Sequence, residues 1–447
     1  MSTEVIPRWR APFHGAGRRG RIARHIAGFL GALVVRHRRL SLVIAAFVLL
    51  FSLAGLCAVY LFSGGEAVYQ IRGDLQVYPW AVRSWVTDGR IPRGWAPLSN
   101  GVLLPWVYPP FAVLPLSPFG LVPMWLATAS LWALNVLALA TVIHLVTRHC
   151  WPSVGPRGAA VVTLAALSPS LWLEPVHSGF GQGQVNLLLM GVIALDCLAP
   201  WPRWPRGVLI GAAAAIKLTP AAFVLFFLVR RDTRSVIRLV VTGAACTALG
   251  FAVDARASVD YWFRAGPASE VAGHPLNSNQ SVMGALARMM PNSPWQVIAW
   301  AIITALLVGV VVGVLRRCDA PTGMVAVGLL TLLVSPTSWS NHWVWCVPAV
   351  LLLFGAALRR GGYLLPAAGV LVTATVVVAP YHFLPHGQRR ELGWTPWQHL
   401  IGDCYVLLAV LALLLLWWRL RRVEPGVNTG VSLVWTSPNG ADSPASV

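Results

Sequence analysis

The chain has 447 residues, of which 57% are hydrophobic and 11% charged. With a mean hydropathy of +0.67 it belongs in a bilayer and is not an ordinary water-soluble enzyme. A formal charge of +19 raises the question of nucleic acid, but the arginines sit in short clusters between apolar runs, as in cytoplasmic membrane loops, so no nucleic-acid partner is expected.

Residues 1–40 hold nine arginines against one acid, Glu4, and read as a disordered basic cytoplasmic tail. The run 41–62 is too long for a signal peptide and lacks a small-residue cleavage site, so it is predicted to be a signal-anchor span. Positive-inside then puts the loop 63–120 on the far side of the membrane. That loop opens on Arg72-Gly73-Asp74 and carries Trp80, Trp85, Trp95 and the string Trp106-Val107-Tyr108-Pro109-Pro110. Aromatics with interspersed arginines suit helices lying in the interface. Within the loop, 103–119 is apolar but interrupted by prolines, and is expected to pack at the outer surface without crossing.

Further apolar runs are 121–147, 157–173, 184–199, 236–254, 295–315, 322–338, 341–358, 362–380 and 400–420. Together with 41–62 they predict about ten full spans, all α, separated by basic linkers that alternate with outer loops. The run 207–229 breaks this alternation, because basic loops flank both of its ends. Its centre is Lys217-Leu218-Thr219-Pro220, where proline removes a backbone donor and clashes with the preceding turn. The pattern predicts a re-entrant pair of short helices with Lys217 near the tip; a kinked span is the plainer alternative. The tail 421–447 is rich in Ser, Pro, Gly and Asn and is expected to be disordered and cytoplasmic, like the N terminus. None of the seven cysteines pairs within an outer loop, so no structural disulfide is expected.

With this topology, polar clusters from distant parts of the chain land on one face. They are Asp74; Glu174 and His177; Gln184 and Asn186 in a Gly-Gln run; Asn279 and Gln280; and Trp339, Asn341 and His342. Each has a plain structural reading: a solvated loop charge, a capping turn, an interfacial histidine bonded to a carbonyl. Lys217 resists such a reading. The chain has 34 cationic side chains and only this one is lysine, set in an apolar run where a charge normally marks a pathway or a ligand. The alternative is that it pairs with a buried acid, Asp196 or Asp254. The acids are too scattered for a carboxylate metal cage, and neither metal nor cofactor is expected.

In this order, Asp74, Tyr108-Pro109-Pro110, Gly183-Gln184-Val185-Asn186, Lys217-Leu218-Thr219-Pro220, Asn279-Gln280-Ser281 and Ser335-Pro336 through His342 resemble glycosyltransferase family 87. The resemblance implies a GT-C membrane domain over 41–420. It also implies an inverting, polyprenyl-phosphate-mannose-dependent mannosyltransferase with an outward-facing site that forms α-(1→2) links on a glycolipid acceptor. Asp74 then matches the catalytic aspartate, and His342 a histidine of a stretch that often ends in two, where this chain has Asn341-His342. Chemistry assigns Lys217 to the donor phosphate, and Tyr108, Glu174, His177, Gln184, Asn186, Asn279, Gln280, Trp339 and Asn341 to substrate binding. The alternatives are an arabinofuranosyltransferase of the same family, which no residue distinguishes, and a non-enzymatic lipid carrier or flippase. The carrier is disfavoured because the chain shows no internal repeat and only one broken element.

Overall fold

The computed structural model describes residues 73–99, 101–200, 202–264, 269, 271–360 and 363–422, together with 43 and 49–50. The tail 1–40, nearly all of the anchor 41–62, the start of the loop 63–120 and the tail beyond 422 lie outside the described residues.

Chain order begins with α1 (Gly73–Asp88), which has Asp74 in its first turn, where a carboxylate suits the helix dipole. Its apolar face, Leu75, Tyr78, Ala81 and Val82, is buried at helical spacing. A two-stranded antiparallel ribbon follows, β1 (Trp95–Pro97) and β2 (Leu103–Pro105), so the described part of the loop 63–120 is not purely helical. A 3-10 turn (Pro110–Ala112) leads into α2 (Val113–Leu121), which packs back on α1.

The long helix α3 (Met124–Cys150) is followed by α4 (Gly155–Ser170) and α5 (Glu174–Gln182). These two meet at 75°. The helix of the expected span 157–173 therefore ends early, at Ser170, and the chain turns through an extended Leu173. The Gly-Gln run, for which a capping turn is the plain reading, is mostly the helix α5, with the turn confined to Gly183–Val185. Then come α6 (Asn186–Leu198), α7 (Val208–Ile216) and α8 (Val224–Val229), the last two separated by a 3-10 turn (Thr219–Phe223). Next are α9 (Thr233–Val253), α10 (Ala255–Phe263) and α11 (Val282–Met289), so the segment between the apolar runs 236–254 and 295–315 carries two helices among its described residues. The remainder comprises α12 (Trp295–Leu315), α13 (Ala320–Val334), a 3-10 turn (Ser340–Trp345) running into α14 (Cys346–Arg360), α15 (Leu364–Val378), α16 (Pro396–Gly402) and α17 (Cys404–Arg421).

Among the described residues five helices are long and apolar enough to cross a membrane: Met124–Cys150, Thr233–Val253, Trp295–Leu315, Ser340–Arg359 and Cys404–Arg421. The bent pair of α4 and α5 would make six. The expected runs 184–199, 322–338 and 362–380 are the shorter helices α6, α13 and α15. A helix of 13–15 residues rises only about 20–23 Å, less than a hydrocarbon core of about 30 Å. The hydropathy runs overstate these helices because extended or 3-10 apolar residues continue past their ends.

The segment 207–229 doubles back. A Cβ at Gly207 would collide with the Ser235 carbonyl and one at Gly211 with the Leu239 carbonyl, so α7 runs alongside α9 in the same direction. Yet the chain leaving α8 enters α9 at Thr233, so both ends of the segment meet there. The turning point is Lys217, which is extended (φ −147°, ψ 130°) between α7 and the 3-10 turn. Asp196 of α6 seals the start of α7, its carboxylate accepting from the Gly207 and Ile210 amides at 3.0 Å and from Trp204 Nε1 at 3.2 Å.

Two apolar cores are packed on either side of α6. Leu187, Met190 and Ile193 belong to the large core built with α3, α13 and α17; Val185 and Leu189 belong to the smaller one around α1, α2 and the ribbon. The N-terminus of α6 therefore sits at the seam between the two cores.

Candidate active site

At that seam the chain brings four distant segments together. Gly183 takes the left-handed conformation (φ 72°) that ends α5, and a Cβ there would also strike Leu75 of α1. That close approach delivers Gln184 to the first turn of α1, where its Nε2 donates to Asp74 Oδ2 at 2.5 Å. Asn135 Nδ2 of α3 holds the Gln184 backbone carbonyl from behind at 3.1 Å.

From there a continuous line of hydrogen bonds runs to the cation. Asn186 Nδ2 donates to Gln184 Oε1 at 3.1 Å and to the Asn341 carbonyl at 3.2 Å. Lys217 Nζ donates to Asn186 Oδ1 at 2.8 Å and lies 3.3 Å from His342 Nε2. An ammonium has only donors, so His342 Nε2 is the acceptor and that imidazole carries its proton on Nδ1. His342 thus touches the lysine and not the aspartate. Neither acid weighed as a partner for Lys217 reaches it: Asp196 caps α7, and Asp254 accepts from the Ala257 and Ile91 amides, both at 2.9 Å.

Burial pushes the Asp74 carboxyl above its ordinary value of 3.8, and the Lys217 charge and the Gln184 hydrogen bond draw it partly back. Next to it, Tyr78, one turn along α1, shares a hydrogen bond of 3.1 Å with Tyr108. Burial raises both phenols, so both keep their protons near neutrality. The Lys217 ammonium lies 5.8 Å from the Tyr108 ring centroid.

A small cavity is lined on the one hand by Asn186, Lys217, Thr219, Ser338 and His342 and on the other by Leu189, Met190, Ile193, Phe223, Val344 and Trp345, so polar and apolar side chains share its wall.

The other expected site residues divide. Asn341 joins the line of hydrogen bonds through its backbone. Glu174, at the start of α5, accepts from Ser340 Oγ at 2.8 Å and from Tyr405 OH at 3.1 Å, which ties the 340–345 turn to α17; His177 lies one turn further along α5. Asn279 and Gln280 are fully buried and spent on backbone. Asn279 accepts from the Ser338 amide at 2.9 Å and donates to the His274 carbonyl, while Gln280 donates to the Asn277 and Gly402 carbonyls. They clasp the 335–340 segment, in which Trp339 pairs with Asn279 as an isolated β-bridge. Buried Arg288, paired with Asp403, supports the clasp by donating to the Leu276 and Asn279 carbonyls. Sequence reasoning passed over Tyr78 and Asn135. The first stands one helical turn from Asp74, and the second is an amide inside a long apolar helix, which is itself a signal.

No solved structure matches the chain. A polyprenol-phosphate-mannose-dependent alpha-(1-2)-phosphatidylinositol mannoside mannosyltransferase of Mycobacterium tuberculosis is 34% identical over 396 residues, 84% of this chain and 89% of that protein. The corresponding phosphatidylinositol pentamannoside mannosyltransferase of M. tuberculosis is 33% identical over 62% of this chain and 65% of its own length. An alpha-(1->3)-arabinofuranosyltransferase of Corynebacterium glutamicum is 28% identical over 47% of this chain and 50% of its own length. The family model for glycosyltransferase family 87 matches residues 106–336, which span Tyr108, Gln184, Asn186 and Lys217. With the family model and a near full-length relative in agreement, the chain belongs to glycosyltransferase family 87.

Proposed function

We propose that the protein transfers mannose from polyprenyl-phosphate-mannose to a phosphatidylinositol-mannoside-type glycolipid, forming an α-(1→2) link with inversion, at a site on the outer face of the plasma membrane. The observation that carries this reading is a lysine in a cavity walled by polar and apolar side chains, joined through Asn186 and Gln184 to a buried carboxyl. A lipid phosphate suits both kinds of wall: its charge meets Lys217, and its chain packs against Leu189, Met190, Ile193 and Phe223. The names of the long-range relatives supply the sugar and the acceptor and favour mannose over arabinofuranose.

The acceptor hydroxyl attacks the anomeric carbon from the face opposite the phosphate. Asp74 takes its proton as the new C–O bond forms and the bond from C1 to the phosphate oxygen breaks. Burial raises its pKa, which makes it a better base than an ordinary aspartate. The departing polyprenyl phosphate gains negative charge, and the Lys217 ammonium, prepositioned by Asn186 and His342, lies where that charge develops. The doubled-back segment 207–229 is then the re-entrant pair that brings the cation to the membrane's outer half, and a GT-C arrangement accommodates it.

Membranes containing the protein, given labelled polyprenyl-phosphate-mannose or polyprenyl-phosphate-arabinose with short mannoside acceptors, test the chemistry; transfer from the arabinose donor alone refutes it. Sidedness is tested with a single cysteine at Ser99 in a cysteine-free protein. Labelling by an impermeant reagent from outside is expected, and protection counts against the outward site.

A further inference from the structure

On α5, the residues that are not buried are its polar ones. Glu174, His177, Ser178 and Gln182 are partly exposed, while Pro175, Val176, Gly179, Phe180 and Gly181 are buried. At about 100° per residue these four positions fall within one arc of about 140°. They form a polar ridge about 12 Å long, at about 1.5 Å per residue. One end of the ridge adjoins the catalytic centre: Gln182 Oε1 lies 2.8 Å from where a Cβ on Gly73 would stand, one residue before Asp74. The other end reaches Glu174, with the half-exposed imidazole of His382 at 4.0 Å and the half-exposed Trp172 preceding it. The side chains of Ser178 and Gln182 make no hydrogen bond to other described residues.

We propose that this ridge is a subsite for the acceptor's sugars beyond the one that is glycosylated, and that its ligand class is a neutral chain of hexopyranosides. The inference rests on the mannoside-acceptor reading above. The only formal charge on α5 is the Glu174 carboxylate, so the ridge repels an anionic lipid headgroup. A hydroxyl, an amide, an imidazole and a carboxylate, each able to accept and most able to donate, match a polyol instead. The ridge is also continuous with the base. A glycan whose terminal hydroxyl reaches Asp74 can lay its preceding sugars along α5 while its lipid end remains further out. Glu174 is held rigid by Ser340 and Tyr405, so the far end of the ridge is fixed before any sugar arrives.

The test is sugar binding, read separately from transfer. Saturation-transfer NMR on the full chain in detergent would compare mannobiose and mannotetraose. The wild type is expected to bind the longer sugar more tightly, and Ser178→Ala/Gln182→Ala to reduce mannotetraose affinity about tenfold, as expected for losing two modest hydrogen bonds, and so to abolish the length preference. Gln182→Asn, which shortens the reach and keeps the amide, is expected to fall between; it carries the test if the double variant fails to fold. Absence of a length preference in the wild type, or its survival in the variants, overturns the subsite. A wild type that binds mannotetraose with this preference yet transfers nothing from polyprenyl-phosphate-mannose refutes the donor assignment and leaves the ridge standing.

Discussion

Lys217→Met removes the site's cation while keeping an unbranched side chain of similar length. Its effect can be worked through from the contacts of the ammonium. An ammonium and a phosphate oxygen about 4 Å apart interact by about 4 kcal/mol at an effective dielectric near 20. The donor's phosphodiester already carries one negative charge, so part of this attraction is present in the bound ground state. The leaving monoester approaches a second charge, so a comparable increment is gained only as the bond breaks. Weakened donor binding and slower chemistry are therefore both expected, with kcat falling on the order of 10²–10³, the range found for removing one well-placed donor to a developing oxyanion. The variant also strands Asn186 Oδ1 and His342 Nε2, which lose their shared donor, at a cost of about 1–3 kcal/mol each if no water replaces it. Lys217→Arg should restore part of the binding, since the charge returns on a bulkier planar fork. Single-turnover transfer across a donor titration, with thermal unfolding on the same preparations, separates these effects. A folded Lys217→Met protein with unchanged donor affinity and kcat within a few-fold of wild type would refute the phosphate assignment.

Asp74→Asn should lower kcat by about 10²–10⁴ with donor binding retained, and activity within a few-fold of wild type would return Asp74 to a structural role. Because its folded pKa is raised, ionised Asp74 subtracts stability above that pKa and the cost is relieved as pH falls through it, so Asp74→Asn should raise the melting temperature at pH 7. Gln184→Ala removes a hydrogen bond that lowers the Asp74 pKa, so the acid limb of kcat/KM should move to higher pH; a limb that stays in place would mean Asp74 is not the titrating base. Asp196→Ala leaves the Gly207 and Ile210 amides uncapped and should lower the melting temperature in detergent, by about 1–3 kcal/mol of stability, while an unchanged melting curve would show that the cap contributes nothing.

How much was legible depended on how local the determining physics is. The break at Lys217 follows from Pro220 three residues on, which cannot continue an α-helix, and from a cation that an apolar helix would not otherwise carry. Lys217 could be picked out because it is polar where its surroundings are not, whereas Asp74, Gln184, Asn186 and His342 stand in polar stretches and are singled out by their convergence on one face and by the family resemblance. Span counting fared worse. Hydropathy sums side chains and is blind to backbone, so it scored the extended Leu173 and the 3-10 stretch Ser340–Trp345 as if they were helix. The clasp roles of Asn279 and Gln280 were equally invisible. Their partners are backbone carbonyls and amides contributed by Asn277, Ser338, Gly402 and Tyr405, and only the tertiary fold brings these within reach.

Gln184 and Asn186 place two neutral amides between Asp74 and Lys217, and the proposed roles of base and cation give that separation a purpose. Were Lys217 to pair directly with Asp74, the ammonium would be neutralised before the phosphate arrived, and the carboxylate would be held low, making it a weak base. The amides transmit position without charge. Gln184 presents a donor to Asp74 and an acceptor to Asn186, and Asn186 presents a donor to Gln184 and an acceptor to Lys217. Each link fixes the orientation of the next, so the line has a single sense, running from ammonium to carboxylate. The Asn341 carbonyl takes the second proton of Asn186 and keeps that amide from flipping. Asp74 and Lys217 are thereby held apart in fixed orientation, as the proposed reaction requires of a base that meets the acceptor hydroxyl and a cation that meets the phosphate. The family motif Gly183-Gln184-Val185-Asn186 is, in this arrangement, a spacer: the glycine makes the turn against Leu75, the two amides span the gap, and Val185 anchors them in the apolar core below.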